Sequence, residues 1–119
     1  MWAAARPDAI RADNVDRVKA CLIVQGANIP VTEVAEAVLH ERGVHSVPDF
    51  IANAGGVICA AAEHAGGSET GAFETIEGKI RLNTAAVLRN AKDMGDPPRR
   101  AAVALAEKRI RKAMSYRRW

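Results

Sequence analysis

Aromatic residues are scarce in this 119-residue chain, at 4% (two Trp, two Phe and one Tyr), so the interleaved aromatics on which nucleic-acid bases stack are missing. Cysteine is limited to Cys21 and Cys59, far apart and in no CxxC pair. A metal knuckle or redox pair therefore gets little support, and two reduced thiols in a cytoplasmic protein is the reading that fits. No run of about 18 apolar residues exists. Met1 to Pro7 also lacks the cationic start and long apolar stretch of a secretion signal, so nothing directs the chain to a membrane. His40, His45 and His64 fall in no two-histidine ligand spacing, and no metal site is expected. The glycines at 26, 43, 55, 56, 66, 67, 71, 78 and 95 fit neither GxSxG, a P-loop nor GxGxxG, which argues against a self-sufficient enzyme. Glu63 and His64 are adjacent, and on a helix they point about 100° apart, too far to exchange a proton as a pair.

What is present is an ordinary globular balance, 49% hydrophobic and 26% charged, in a length that allows one domain. About 65% of the unfolded surface can be buried at this size, enough for one modest core. The charge is uneven. Residues 99–119 hold eight basic groups against Glu107 alone, so a chain of net +3 divides into a +7 tail and a −4 remainder. Such a tail could meet phosphates. Val103, Ala106, Ile110 and Met114, however, recur at helical spacing, and the charges then become the wet side of an amphipathic helix packed through that apolar row.

Glycine and proline cut the chain into alternating strands and helices. Trp2 to Ala5 reads as the end of a strand, and Asp13 or Asn14 as the cap of one helical turn. The run Ala20 to Gln25, without polar alternation, predicts a parallel strand covered on both faces. A helix from Pro30 and Thr32 to about Arg42 follows, with Thr32 as N-cap, Val34, Val38 and Leu39 inward, and Gly43 as its stop. Val44 to Val47 is a second strand, Pro48-Asp49 a turn, and Val57 to about Ala65 a helix ended by Gly66-Gly67. From Thr70 to Asp93 the set Phe73, Ile76, Ile80, Val87 and Ala91 follows helical spacing, and Asp96-Pro97-Pro98 opens a last helix. Strand, helix, strand and then helices is an α/β pattern with a small parallel sheet.

Ligands of such sheets bind beyond the carboxyl ends of the strands, so the two strand-to-helix joins carry the chemistry. The first is Gly26-Ala27-Asn28-Ile29-Pro30 and the second runs from Pro48-Asp49 through Asn53-Ala54-Gly55-Gly56 to Val57. Each sets an asparagine beside Gly or Ala, where backbone can be approached closely and an amide can both donate and accept. That suits a carboxamide or carboxylate ligand at a helix N-terminus. The competing structural reading makes Asn53 the N-cap of the helix beginning at Ala54, worth about 1 kcal/mol.

Taken together, the two joins resemble the glutamate/leucine/phenylalanine/valine dehydrogenases. A GAN-x-P-T-like segment stands here as Gly26-Ala27-Asn28-Ile29-Pro30-Val31-Thr32, and PD-x-x-x-NAGGV as Pro48 to Val57. Ala4 to Ile10 and Asp13-Asn14 resemble the same family's strand end and turn, so the likeness covers nearly the whole chain. It implies an α/β fold, a partial Rossmann-like NAD(P)-binding domain with a small parallel sheet followed by C-terminal helices. Residues 1–66 would be the last part of the cofactor domain and 67–119 a C-terminal helical segment. It further implies oxidative deamination of an L-amino acid to a 2-oxo acid with NAD or NADP, in a cytoplasmic enzyme that is a homo-oligomer. By carry-over, Ala27, Asn28 and Asn53 bind the cofactor, while Asn28, Asn53, Val57 and Ala60 meet the substrate. Glutamate-specific relatives tend to carry Ser at the place of Ala60, which leaves an apolar amino acid open. The resemblance places no catalytic residue in these 119, since the glycine-rich phosphate loop and the catalytic Lys and Asp are missing. The chain reads as a C-terminal piece of the enzyme, inactive by itself. The rivals are a standalone α/β interaction module with unpaired sheet edges, and a nucleic-acid binder acting through the basic tail.

Overall fold

The computed structural model describes residues 1–116. Three short strands, β1 (Trp2–Ala3), β2 (Leu22–Gln25) and β3 (His45–Val47), form a parallel sheet in the order β1-β2-β3. Trp2 pairs with Val24, and Ile23 with Ser46, so Ala3, Ile23, Gln25 and Ser46 share one face. Five helices follow or intervene: α1 (Glu33–Glu41), α2 (Asp49–Ala52), α3 (Gly55–His64), α4 (Glu69–Met94) and α5 (Pro98–Ser115).

The first face is closed by α1. Ile23, Ala35 and Leu39 are fully enclosed there, together with Val15 and Val31. Val15 opens a single 3-10 turn, Val15–Arg17, at the place where one helical turn was expected. Asn14 precedes it without capping it, because its amide instead accepts from the Arg11 N–H at 2.8 Å and donates to the Ala9 carbonyl at 3.0 Å. The second face is closed only at its β3 end, where Val47 and Ile51 pack with Val87 and Ala91 of α4 and Ala101 and Ala102 of α5. The strand at 22–25 is therefore not covered on both sides. Leu22 is 42% exposed and Trp2, on the same face, 66%.

Helix ends follow their local chemistry. The Thr32 hydroxyl accepts from the Ala35 N–H at 3.4 Å, and Ser68 does the same for Gly71 at 3.2 Å, each meeting a backbone donor that an α-helix leaves unpaired. Gly43 closes α1 with a φ of +72°, a conformation favouring glycine. Pro48-Asp49, expected as a turn, instead starts the four-residue helix α2, since proline's fixed φ suits the position before a helix.

Three inward assignments do not hold. Val34 is 61% exposed, and the buried side of α1 carries Glu36 along with Ala35 and Leu39. Phe73 is 64% exposed, while Val87 and Ala91 further along α4 are buried as expected. In α5 Val103, Ile110 and Met114 face solvent at 45%, 58% and 63% exposure, and Ala106 of the same row is half-buried. The helix meets the core through Ala101, Ala102 and Leu105 near its start, and further along it is tied to α4 by a polar contact, Arg109 to Asn83, not by its apolar row. Arg117 and Arg118, part of the expected basic tail, lie outside the described residues. No helix of the described residues is long and apolar enough to cross a membrane.

Candidate functional site at the carboxyl ends of the strands

The first join leaves β2 through Gly26, whose backbone N–H and that of Ala27 both donate to the Ala3 carbonyl, at 2.9 and 3.0 Å. A side chain at Gly26 would put its Cβ 2.7 Å from the Trp2 indole nitrogen and 3.1 Å from the Ala4 Cβ, so glycine lets the Trp2 ring lie directly on this bend. Ile29 follows Asn28 with a φ of +47°, a left-handed backbone that a β-branched residue adopts only at a cost of about 1–2 kcal/mol. Both of its backbone groups are tied down. Its N–H donates to Asp49 Oδ2 at 2.8 Å, and its carbonyl accepts from the Asp8 N–H at 2.9 Å.

The second join brings Asn53 to the first. Asn53 ends α2, and α3 begins after Ala54 with no side-chain cap. Asn53 is therefore not an N-cap. Its Nδ2 donates to Asn28 Oδ1 at 2.8 Å, which places the two asparagines side by side. Asn28 Nδ2 and Asn53 Oδ1 have no protein partner among the described residues, so the pair keeps a whole NH2 group and an amide oxygen for anything docking there. Ala27 and Asn53 are half-buried and Asn28 is exposed. Val57, 78% exposed, and Ala60 lie three residues apart on α3 and share a face open to solvent.

Beneath the pair is a buried polar cluster that the sequence alone did not single out. Gln25 is fully buried, and Glu36, Ser46 and Asp49 are 6–8% exposed. Gln25 Nε2 donates to Glu36 Oε1 at 2.7 Å and to the Ser46 hydroxyl at 2.9 Å. Arg99, from the first turn of α5, donates through Nε to Glu36 Oε2 at 2.7 Å. Its Nη2 reaches Gln25 Oε1 at 3.0 Å and Asp49 Oδ1 at 2.9 Å. Its guanidinium also stands 5.7 Å from the centre of the Phe50 ring. No buried side-chain polar atom among the described residues lacks a partner, the condition under which such a cluster rigidifies rather than destabilises.

Burial alone would push the Asp49 carboxyl up. The Ile29 N–H, the Arg99 guanidinium and the Phe50 N–H more than offset that, and hold it below its ordinary value. Arg99 is held above its ordinary value because Glu36 and Asp49 outweigh its own partial burial. Asp49 is thus a fixed anion, not a free base. Outside this cluster the thiol of Cys59 is pushed up by burial and then by the charge of Glu63, whose carboxylate it faces at 3.7 Å. No group of three or more metal-ligating side chains is found among the described residues. The basic groups of α5 are largely engaged locally: Arg100 with Asp96 and Arg111 with Glu107, both at 3.0 Å, and Arg109 with Asn83 at 2.8 Å.

A parallel sheet whose two strand-to-helix joins meet through paired amides is the arrangement the motifs implied. The sequence model of the Glutamate/Leucine/Phenylalanine/Valine dehydrogenase family matches residues 1–118, and the chain belongs to that family. It is 38% identical to a glutamate dehydrogenase of Aeropyrum pernix, across 98% of this chain and 30% of that protein. With an NADP(+)-dependent glutamate dehydrogenase of Pyrobaculum calidifontis it shares 42% identity, over 98% of this chain and 29% of the other. Among solved structures, L-tryptophan dehydrogenase from Nostoc punctiforme superposes with a TM-score of 0.84 at 27% identity, over 94% of this chain and 34% of its own. The chain therefore spans about 30% of the length of the curated relatives it matches.

Proposed function

We propose that this chain forms the nicotinamide-facing wall of an NAD(P)-dependent amino-acid dehydrogenase, which converts an L-amino acid to a 2-oxo acid with release of ammonia. The observation that carries this reading is the Asn53–Asn28 hydrogen bond of 2.8 Å at the carboxyl rim of the parallel sheet. The NH2 group and the amide oxygen it leaves free can donate to and accept from a carboxamide, the group a nicotinamide presents. When bound, that ring supplies the hydride acceptor. The chain's own part is to orient it and to hold the substrate's α-groups against it: Ala27, Asn28 and Asn53 on the cofactor side, and Asn28 and Asn53 again on the substrate side. Val57 and Ala60 form the wall of the side-chain pocket. Neither carries a side-chain donor, so this wall gives a distal carboxylate nothing to bind and favours an apolar amino acid.

In this reading residues 1–66 complete a cofactor domain and residues 67–119 form the helical segment behind it, within a homo-oligomeric enzyme using NAD or NADP. The proton-transfer groups lie elsewhere in the enzyme, because Asp49 is occupied by Arg99 and Ile29. The 119 residues alone should not reduce NAD with any L-amino acid. The direct test is a titration of the isotope-labelled chain with nicotinamide mononucleotide, followed by NMR. Saturable shifts at Ala27, Asn28, Asn53 and Val57 are expected, with a Kd on the order of millimolar, the affinity of a site holding only part of its ligand. Asn53→Ala should weaken binding several-fold. Shifts confined to other residues, or none at several times that concentration, would refute the proposal.

A further inference from the structure

We propose that Arg99 is a positioning residue for the Asn28–Asn53 pair, acting from α5 through Asp49 and the Ile29 N–H; its functional meaning rests on the reading above. Ile29 is the most strained point of the first join. It is β-branched, it has a φ of +47°, and Pro30 follows it, which restricts the preceding residue further. Such a conformation persists only where the surroundings over-determine it. Here the Asp8 N–H holds the Ile29 carbonyl, and on the N–H side, nearer Asn28, the restraint is one carboxylate. Asp49 Oδ2 accepts from the Ile29 N–H at 2.8 Å while its Oδ1 accepts from Arg99 Nη2 at 2.9 Å, and the residue is 6% exposed. Asn28 is the residue immediately before Ile29, so the torsion held at Ile29 sets where the Asn28 amide meets Asn53.

Arg99 is suited to this task by shape as well as charge. Its planar fork reaches Glu36 through Nε and both Gln25 and Asp49 through Nη2, so three groups from α1, β2 and α2 fix its direction. Lysine carries the charge without the fork. A role confined to stability would let the whole domain loosen together when Arg99 is changed. A positioning role predicts a local response, with Ile29, Asn28 and Asn53 altered and the Ile23–Leu39 cluster unaltered.

The experiment compares Arg99→Met and Arg99→Lys with the wild-type full chain by NMR, with no cofactor added. The Ile29 amide-to-α-proton coupling reports its φ, the side-chain NH2 signals of Asn28 and Asn53 report the pair, and the methyl signals of Ile23 and Leu39 report the core. In Arg99→Met the positive-φ signature of Ile29 should be lost and the two asparagine NH2 signals should collapse toward free-amide positions, with the core methyls unmoved. Arg99→Lys should fall between. Wild-type signals at Ile29, Asn28 and Asn53 in a folded Arg99→Met chain would overturn the proposal. If Arg99→Met does not fold, Arg99→Lys decides it, and wild-type signals there would overturn it equally. Since no nicotinamide enters the experiment, its outcome is independent of whether nicotinamide mononucleotide binds.

Discussion

Replacing Asp49 by asparagine removes one negative charge from a nearly closed site while leaving its shape almost unchanged. The carboxylate now accepts from the Ile29 N–H on one oxygen and from Arg99 on the other. An asparagine has a single oxygen. Whichever way its amide turns, the NH2 faces either the Ile29 N–H or the guanidinium, donor against donor. Breaking a fully buried ion pair costs about 3–5 kcal/mol, but Arg99 keeps Glu36 and its side chain is 26% exposed, so about 2–3 kcal/mol is the reasonable figure. In urea, with a slope of about 1.3 kcal/mol/M for a chain of this size, the midpoint should fall by roughly 1.5–2.3 M at pH 7. The pH dependence adds a second arm. Asp49's carboxyl is held low in the folded chain, so its stabilisation is present above the unfolded value of about 3.9 and is lost as pH falls through the lower folded value. The gap between wild type and Asp49→Asn should therefore shrink steadily below about pH 4. A midpoint shift under about 0.5 M at neutral pH, or a gap that widens in acid, would refute the assignment of Asp49 as a buried anion holding Ile29.

Two further outcomes follow from the structure. Leu39→Ala empties a fully enclosed position between α1 and the sheet and should cost about 3 kcal/mol, read as a fall in urea midpoint or as loss of folding. Under mild alkylation at neutral pH, Cys21, which is exposed, should react well before Cys59, whose thiol is half-buried and pushed up by burial and Glu63. Mass-resolved labelling that modifies Cys59 first would contradict this.

The sequence was most readable where local chemistry decides conformation, and least where partners come from afar. Thr32 and Gly43 act within a few residues of themselves, and the cap and the stop of α1 emerge from the chain in order. The asparagine pair was readable because two spacings, each weak alone, imply strands of one sheet, and strands of one sheet end at one rim. Glu36 could not be read this way. On α1 it competes with Val34 for an inward position, and hydrophobicity favours Val34. What reverses the choice is Arg99, 63 residues later, and Gln25 on the strand beneath. Arg99 was equally hidden, since it stands first in a basic tail and counts there as one of eight charges. The failure in α5 has the same origin. Val103, Ile110 and Met114 keep a helical period, but period only marks a stripe, and which stripe is buried depends on where the helix docks. Docking occurs at its first turns, where Arg99 enters the cluster and Ala101 and Ala102 close on Val87 and Ala91. The contact that ties α5 to the candidate site thus also turned its apolar row outward, which is why one misjudged helix and one overlooked arginine are the same omission.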